Sequence, residues 1–132
     1  HETMCRLRAD KIASIAGFIP DLEVAGHPQA SLLVLGWGGS YGAIRTAVEQ
    51  MAQAGRPVAC AHLRYLNPFP GNLGEVLTRY ERVLVPELNH GQLALLLRAR
   101  YLVKVVSRGI LQGRPFSVGE IETCIMEALD DD

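Results

Sequence analysis

With 132 residues, the chain is long enough for one domain that buries roughly two-thirds of its unfolded surface. Its 13 Lys and Arg nearly cancel 14 Asp and Glu, which excludes broad electrostatic capture of nucleic acid or of an anionic membrane. No apolar stretch reaches bilayer length, no signal-peptide pattern opens the chain, and Cys5, Cys60 and Cys124 form no C-x-x-C, so a membrane span and local zinc or iron–sulfur ligation are excluded and a reducing cytoplasm is expected.

In chain order, Met4 to Ala16 carries Leu7, Ile12 and Ile15 at helical spacing, and Pro20 stops it. The first methionine comes only at Met4, which reads as a piece of a longer protein. Residues 1–20 are therefore a helical lead-in, 21–129 an α/β domain and 130–132 an acidic tail. Leu22–Val24 is a short strand ended by Gly26 and Pro28. Leu32–Leu35 is a buried strand, and a glycine cluster follows at Gly36, Gly38, Gly39 and Gly42. Ala43, Ala47, Val48 and Met51 then mark a helix from Tyr41 to Ala54, with Ser40 as its N-cap and Gly55 as its stop.

Val58–Leu63 is the next strand, with Cys60 as a small core residue. A proline- and aromatic-rich connection, Tyr65–Pro70, leads to a helix from Leu73 to Tyr80 with Asn72 as N-cap. Arg82–Pro86 is another buried strand and Glu87–Gly91 a loop. Gln92–Tyr101 is an apolar helix and Leu102–Val106 an edge strand. Ser117 and Glu120 have capping-box spacing ahead of a last helix whose buried face is Ile121, Ile125 and Leu129. Strands alternating with helices predict a three-layer α/β/α sandwich. Its strand-end loops, Gly36–Gly42, Arg64–Gly71 and Glu87–Gly91, gather at one rim.

The glycine turn invites a nucleotide, and its spacing argues against one. Gly36, Gly38 and Gly42 read G-x-G-x-x-x-G, one residue longer than the dinucleotide fingerprint, and the next strand ends at His62, Leu63 and Arg64 with no acid for a ribose hydroxyl. No lysine follows the glycines, which excludes a Walker A loop.

The rim holds the unusual side chains: Trp37, Tyr41, His62, Arg64, Tyr65, Asn67, Glu87, Asn89 and Gln92, with Gly38 at the turn. His62, Glu87 and His90 are acid–base candidates, yet no nucleophile elbow and no metal-ligand spacing accompany them. His62 alternates within a strand and reads first as a hydrogen-bonded core or interface histidine. Arg64 requires a carboxylate, and Glu87 is the expected partner. Trp37, Tyr41, Tyr65 and Phe69 are either core or the aromatic centre of an interface. The rim is expected to be one polar and aromatic cluster beside the glycine turn, and no motif in it marks a catalytic, cofactor-binding or metal-ligating residue.

Four blocks together resemble a known family. LGWGGSYGAIRTAVE (Leu35–Glu49), AHLRYLNPFPGNLGEVL (Ala61–Leu77), VLVPELNHGQLALLLRARYLV (Val83–Val103) and LQGRPFSVGEI (Leu111–Ile121) are similar to the carboxyl-terminal part of the alpha subunit of 2-oxoacid:ferredoxin oxidoreductases, of the 2-oxoglutarate type. The chain departs from the usual GWGSTYG at Gly39 and Ser40, has His90 in place of Leu, and reads Ile110–Gly113 in place of KVQG.

The resemblance implies a fold like the transketolase carboxyl-terminal domain: a five-stranded mixed, mostly parallel sheet with an antiparallel first strand at one edge. It implies an enzyme that decarboxylates 2-oxoglutarate on thiamine diphosphate and Mg²⁺, reduces ferredoxin through a [4Fe–4S] cluster and forms succinyl-CoA from coenzyme A. It assigns those groups to the beta subunit and other parts of the alpha subunit. This domain then binds none of them and packs the subunits together. Two rival readings of the residues stay open: a free-standing small-molecule or nucleotide-binding module, and a small hydrolase using the rim histidines.

Overall fold

The computed structural model describes residues 18–87, 91–109 and 114–130. The expected helix over 4–16, Cys5, Asn89, His90 and the stretch 110–113 lie outside them. The elements are β1 (Val24–Gly26), β2 (Leu32–Trp37), a 3-10 turn (Gly38–Ser40), α1 (Tyr41–Gln53), β3 (Ala59–Leu63), α2 (Leu73–Thr78), β4 (Arg82–Glu87), α3 (Gln92–Tyr101), β5 (Val105–Gly109) and α4 (Val118–Asp130).

The strands form one sheet in the order β1-β3-β2-β4-β5. β1 runs antiparallel to β3, and every other pairing is parallel. From β2 the chain steps one way to β3 and then back across β2 to β4. Right-handed crossovers in opposite directions require helices on opposite faces, and that is how the two cores divide. On one face Leu33, Leu35, Val83 and Val85 meet Leu73, Leu77, Leu93 and Leu97 of α2 and α3. On the other Leu32, Val34 and Leu84 meet Ile44, Val48, Ile121 and Ile125 of α1 and α4. Continuous apolar runs such as Leu32–Leu35 are what a sheet covered on both faces requires.

Several boundaries differ from the sequence expectation. β1 begins two residues late, because the Asn72 side chain holds the Leu22 backbone: Leu22 N–H donates to Asn72 Oδ1 at 2.7 Å and Asn72 Nδ2 donates to Leu22 O at 3.0 Å. Asn72 sits at the N-cap position of α2 but makes no side-chain cap bond there. β5 begins three residues late, because Leu102 takes a left-handed conformation (φ 53°) that ends α3. α4 runs through Asp130, the first residue of the expected tail, and its exposed side chain pairs with Arg56 at 2.6 Å.

Ser40 is not the expected capping residue either. The chain enters α1 through the 3-10 turn, and Ser40 Oγ donates back to Trp37 O at 3.1 Å. The capping box at the start of α4 does form: Glu120 N–H donates to Ser117 Oγ at 3.1 Å and Ser117 N–H to Glu120 Oε1 at 2.9 Å. Arg114 adds a two-pronged contact to the Glu120 carboxylate, and these bonds hold that carboxyl down to about 2.

Candidate functional site

The carboxyl ends of β2, β3 and β4 do share a rim, and the strand order turns at β2. The side chains there do not form one cluster. They divide into two groups on either side of β2.

The first group surrounds the glycine turn. Gly36 pairs with His62 and Trp37 with Leu63 across β2 and β3. Gly38 adopts φ 69°, which carries the chain off the strand. Its carbonyl oxygen lies 3.1 Å from His62 Nε2. A carbonyl only accepts, so the Nε2 carries the proton and neutral His62 keeps Nδ1 as an acceptor. Nδ1 is buried and finds no partner among the described residues. Tyr41 stands edge-on to the imidazole at 5.3 Å between centroids. Burial pushes the His62 pKa below its ordinary value of 6.5, the Gly38 bond opposes that, and the nearby Arg64 charge adds to it.

The sign of the pH effect follows. The unfolded histidine takes up its second proton near pH 6.5, while the folded one resists it. The stability that neutral His62 contributes is therefore complete above that pH and is lost as the pH falls from there toward the depressed folded value. In urea titrations the wild-type midpoint should drop with falling pH across that window more than the midpoint of His62→Gln does. Parallel slopes for the two proteins would mean that His62 is not held in its neutral form.

The second group is built on Glu87, and here the structure corrects the expectation. Glu87 is the last residue of β4 and is only 1% exposed. It does not reach Arg64. Its carboxylate turns to the start of α3, accepting from Leu93 N–H at 2.8 Å and Ala94 N–H at 3.3 Å. Free backbone donors and a helix dipole stabilise a buried carboxylate without a guanidinium. Gly91, at φ 77°, makes the turn between them. Gln92 opens α3 and is exposed. The α3 N-terminus, which would otherwise suit an anion, is thus filled from within the chain.

Arg64 is exposed, and among the described residues it makes no hydrogen bond or ion pair. Tyr65, Asn67 and Tyr41 are exposed beside it, and Trp37 is half-buried against the α2–α3 core. Phe69 is not a rim residue: it is buried in that core, with Tyr101 and the Arg100 guanidinium against its ring. Arg64, Tyr65, Tyr41 and His62 line a cleft of about 370 Å³ with Arg45, Cys60 and the segment Pro20–Ala25, whose Val24 and Ala25 pair with Ala61 and Cys60 of β3. Sequence reasoning missed this cleft, since β1 and the residues before it reach the site only through sheet pairing and the Asn72 clamp. Among the described residues no group of three His, Cys, Asp or Glu is placed to hold a metal ion.

A mixed five-stranded sheet between two helical layers, with its edge strand antiparallel and its strand-end loops engaged in internal bonds, defines a transketolase carboxyl-terminal-like α/β domain. Residues 30–121 match the family described as pyruvate:ferredoxin oxidoreductase core domain II, and the chain belongs to that family. It is 52% identical over 130 residues to the 2-oxoglutarate oxidoreductase subunit KorA of Mycobacterium tuberculosis, covering 98% of this chain and 20% of KorA. Among solved structures, it matches the 2-oxoglutarate:ferredoxin oxidoreductase from Magnetococcus marinus, whose structure has 2-oxoglutarate, coenzyme A and succinyl-CoA bound. The TM-score is 0.88 at 29% identity, over 98% of this chain and 23% of that one. A split-gene transketolase shares the fold alone, at a TM-score of 0.63 and 14% identity over 81% of this chain and 41% of that one. The chain spans about a fifth of the length of the curated relatives it matches.

Proposed function

We propose that this chain is the subunit-packing domain of a thiamine-diphosphate-dependent 2-oxoglutarate:ferredoxin oxidoreductase, an enzyme that converts 2-oxoglutarate to succinyl-CoA and reduces ferredoxin. The observation that carries the reading is 52% identity to a 2-oxoglutarate oxidoreductase subunit across 98% of the chain. In this reading residues 1–132 form one domain of a longer alpha subunit. The partners are the rest of that subunit, a beta subunit and, through the whole complex, ferredoxin. The compartment in this reading is the cytoplasm.

In this reading the domain holds no resident cofactor. Cys60 lies within β3 and Cys124 on α4, too few for a cluster, and the Glu87 carboxylate is already used by α3. Thiamine diphosphate, Mg²⁺, the [4Fe–4S] cluster and coenzyme A belong, in this reading, to other parts of the enzyme. What the domain offers is surface. Tyr41, Arg64, Tyr65, Asn67 and Gln92 are exposed at the rim, as is Gly38 at the turn, with His62 and Trp37 half-buried there. Leu95 and Leu96 on α3, and Leu102 at its end, are more than half exposed, an apolar face of the kind that subunit contacts cover.

The test is turnover by the chain alone. It is supplied with 2-oxoglutarate, thiamine diphosphate, Mg²⁺, coenzyme A and an electron acceptor. No acceptor reduction is expected. Reduction dependent on 2-oxoglutarate would overturn the packing role.

A further inference from the structure

We infer that the cleft between α1, β3 and the Pro20–Ala25 segment binds a small organic molecule bearing a carboxylate or phosphate, held by Arg45 and Arg64. The first support is the accounting of arginines. Every other described arginine holds a carboxylate, a backbone carbonyl or an aromatic ring. Arg45 and Arg64 hold none of these among the described residues, and both line this one cleft. Arg45 lies instead against the Cys60 thiol, a weak acceptor for a guanidinium. A forked cation with unused donors is matched to a carboxylate or phosphate oxygen pair.

The second support is the surrounding field. The cleft abuts the first turn of α1, which has no side-chain cap bond and no acidic residue. A 13-residue helix presents partial positive charge at that end. The volume of about 370 Å³ lies within the range of small-molecule sites. The exposed rings of Tyr41 and Tyr65 flank the mouth. Asp21 and Glu23 also line the cleft, at salt-bridge distance from neither arginine. They would accept from hydroxyl or amino groups of the same ligand. The inferred ligand thus carries an anionic group together with hydrogen-bond donors.

The test titrates inorganic phosphate and malonate, separately, into the full chain while following the arginine Nε–H NMR signals. Saturable shifts of Arg45 and Arg64, with Arg79 and Arg100 unmoved, are expected for at least one probe. The tighter probe identifies the anion class. Arg64→Gln and Arg45→Gln should each weaken binding at least about tenfold, as loss of a charge-assisted bond does. Arg64 is exposed, so Arg64→Gln is expected to fold, and its dichroism spectrum checks this. Unsaturable shifts of all arginines alike, or unchanged binding in the double variant, would overturn the inference. No binding of either probe, combined with loss of alpha–beta assembly in the double variant, would overturn it in favour of a carboxylate from a neighbouring polypeptide.

Discussion

Replacing Glu87 by alanine is expected to destabilise the domain by about 3 kcal/mol or more, through loss of two helix-terminus bonds and of the charge opposite the helix dipole. The carboxylate is buried at the end of β4, and the Leu93 and Ala94 N–H groups that it satisfies have no water to turn to. The truncation also leaves a void between β4 and α3. Glu75→Ala is the control. Glu75 is exposed and pairs only with Arg79 one turn on, so its loss should cost about 0.5 kcal/mol or less. Glu87→Gln should fall between them, because the amide keeps one acceptor and sets a donor against the second N–H. Urea midpoints at constant m-value measure all three. Equal losses for Glu87→Ala and Glu75→Ala would mean that Glu87 does not hold α3 onto the sheet.

Gly26→Ala is expected to cost about 2 kcal/mol or more, from left-handed backbone strain added to a steric clash. Gly26 ends β1 with φ 82°, and a Cβ there would sit 2.5 Å from the Val58 carbonyl oxygen. That oxygen cannot retreat easily, since it accepts from His27 N–H at 3.1 Å and belongs to the chain entering β3. Gly38→Ala separates the two causes. Its φ is 69°, but a Cβ there meets nothing within 4 Å, so only the backbone term of about 1 kcal/mol remains. The ranking Gly26 above Gly38 is the checkable result. A Gly38→Ala loss as large as that of Gly26→Ala would mean that the glycine turn is crowded by something beyond the described residues.

Much of this architecture is legible in the residues. The apolar runs of β2 and β4, the bounds of α1 and α3, and the Ser117–Glu120 box are local signals, and local physics reproduces them. The antiparallel β1 comes from family resemblance, since three residues carry no usable period. The site is less legible because its decisive contacts are not local. Asn72 reads as a helix cap, and its amide instead clamps Leu22 fifty residues away. Pairing Arg64 with Glu87 follows from charge alone. It overlooks the fact that a strand-end acid followed by glycine and a helix start has backbone donors closer at hand. His62 was legible as a structural histidine in type. Its partner, the Gly38 carbonyl, depends on the register between β2 and β3.

A packing domain of a 2-oxoglutarate oxidoreductase should serve inside a relative's complex as well as in its own. The most direct measurement exchanges this chain for the matching segment of the KorA subunit, to which it is 52% identical, and assays the hybrid complex. The hybrid alpha subunit is expected to assemble with its beta subunit and to retain ferredoxin reduction dependent on 2-oxoglutarate. Glu87→Ala within the hybrid is expected to lose assembly and turnover together. A hybrid that folds but neither assembles nor turns over, while the native complex prepared alongside does both, would contradict the packing role.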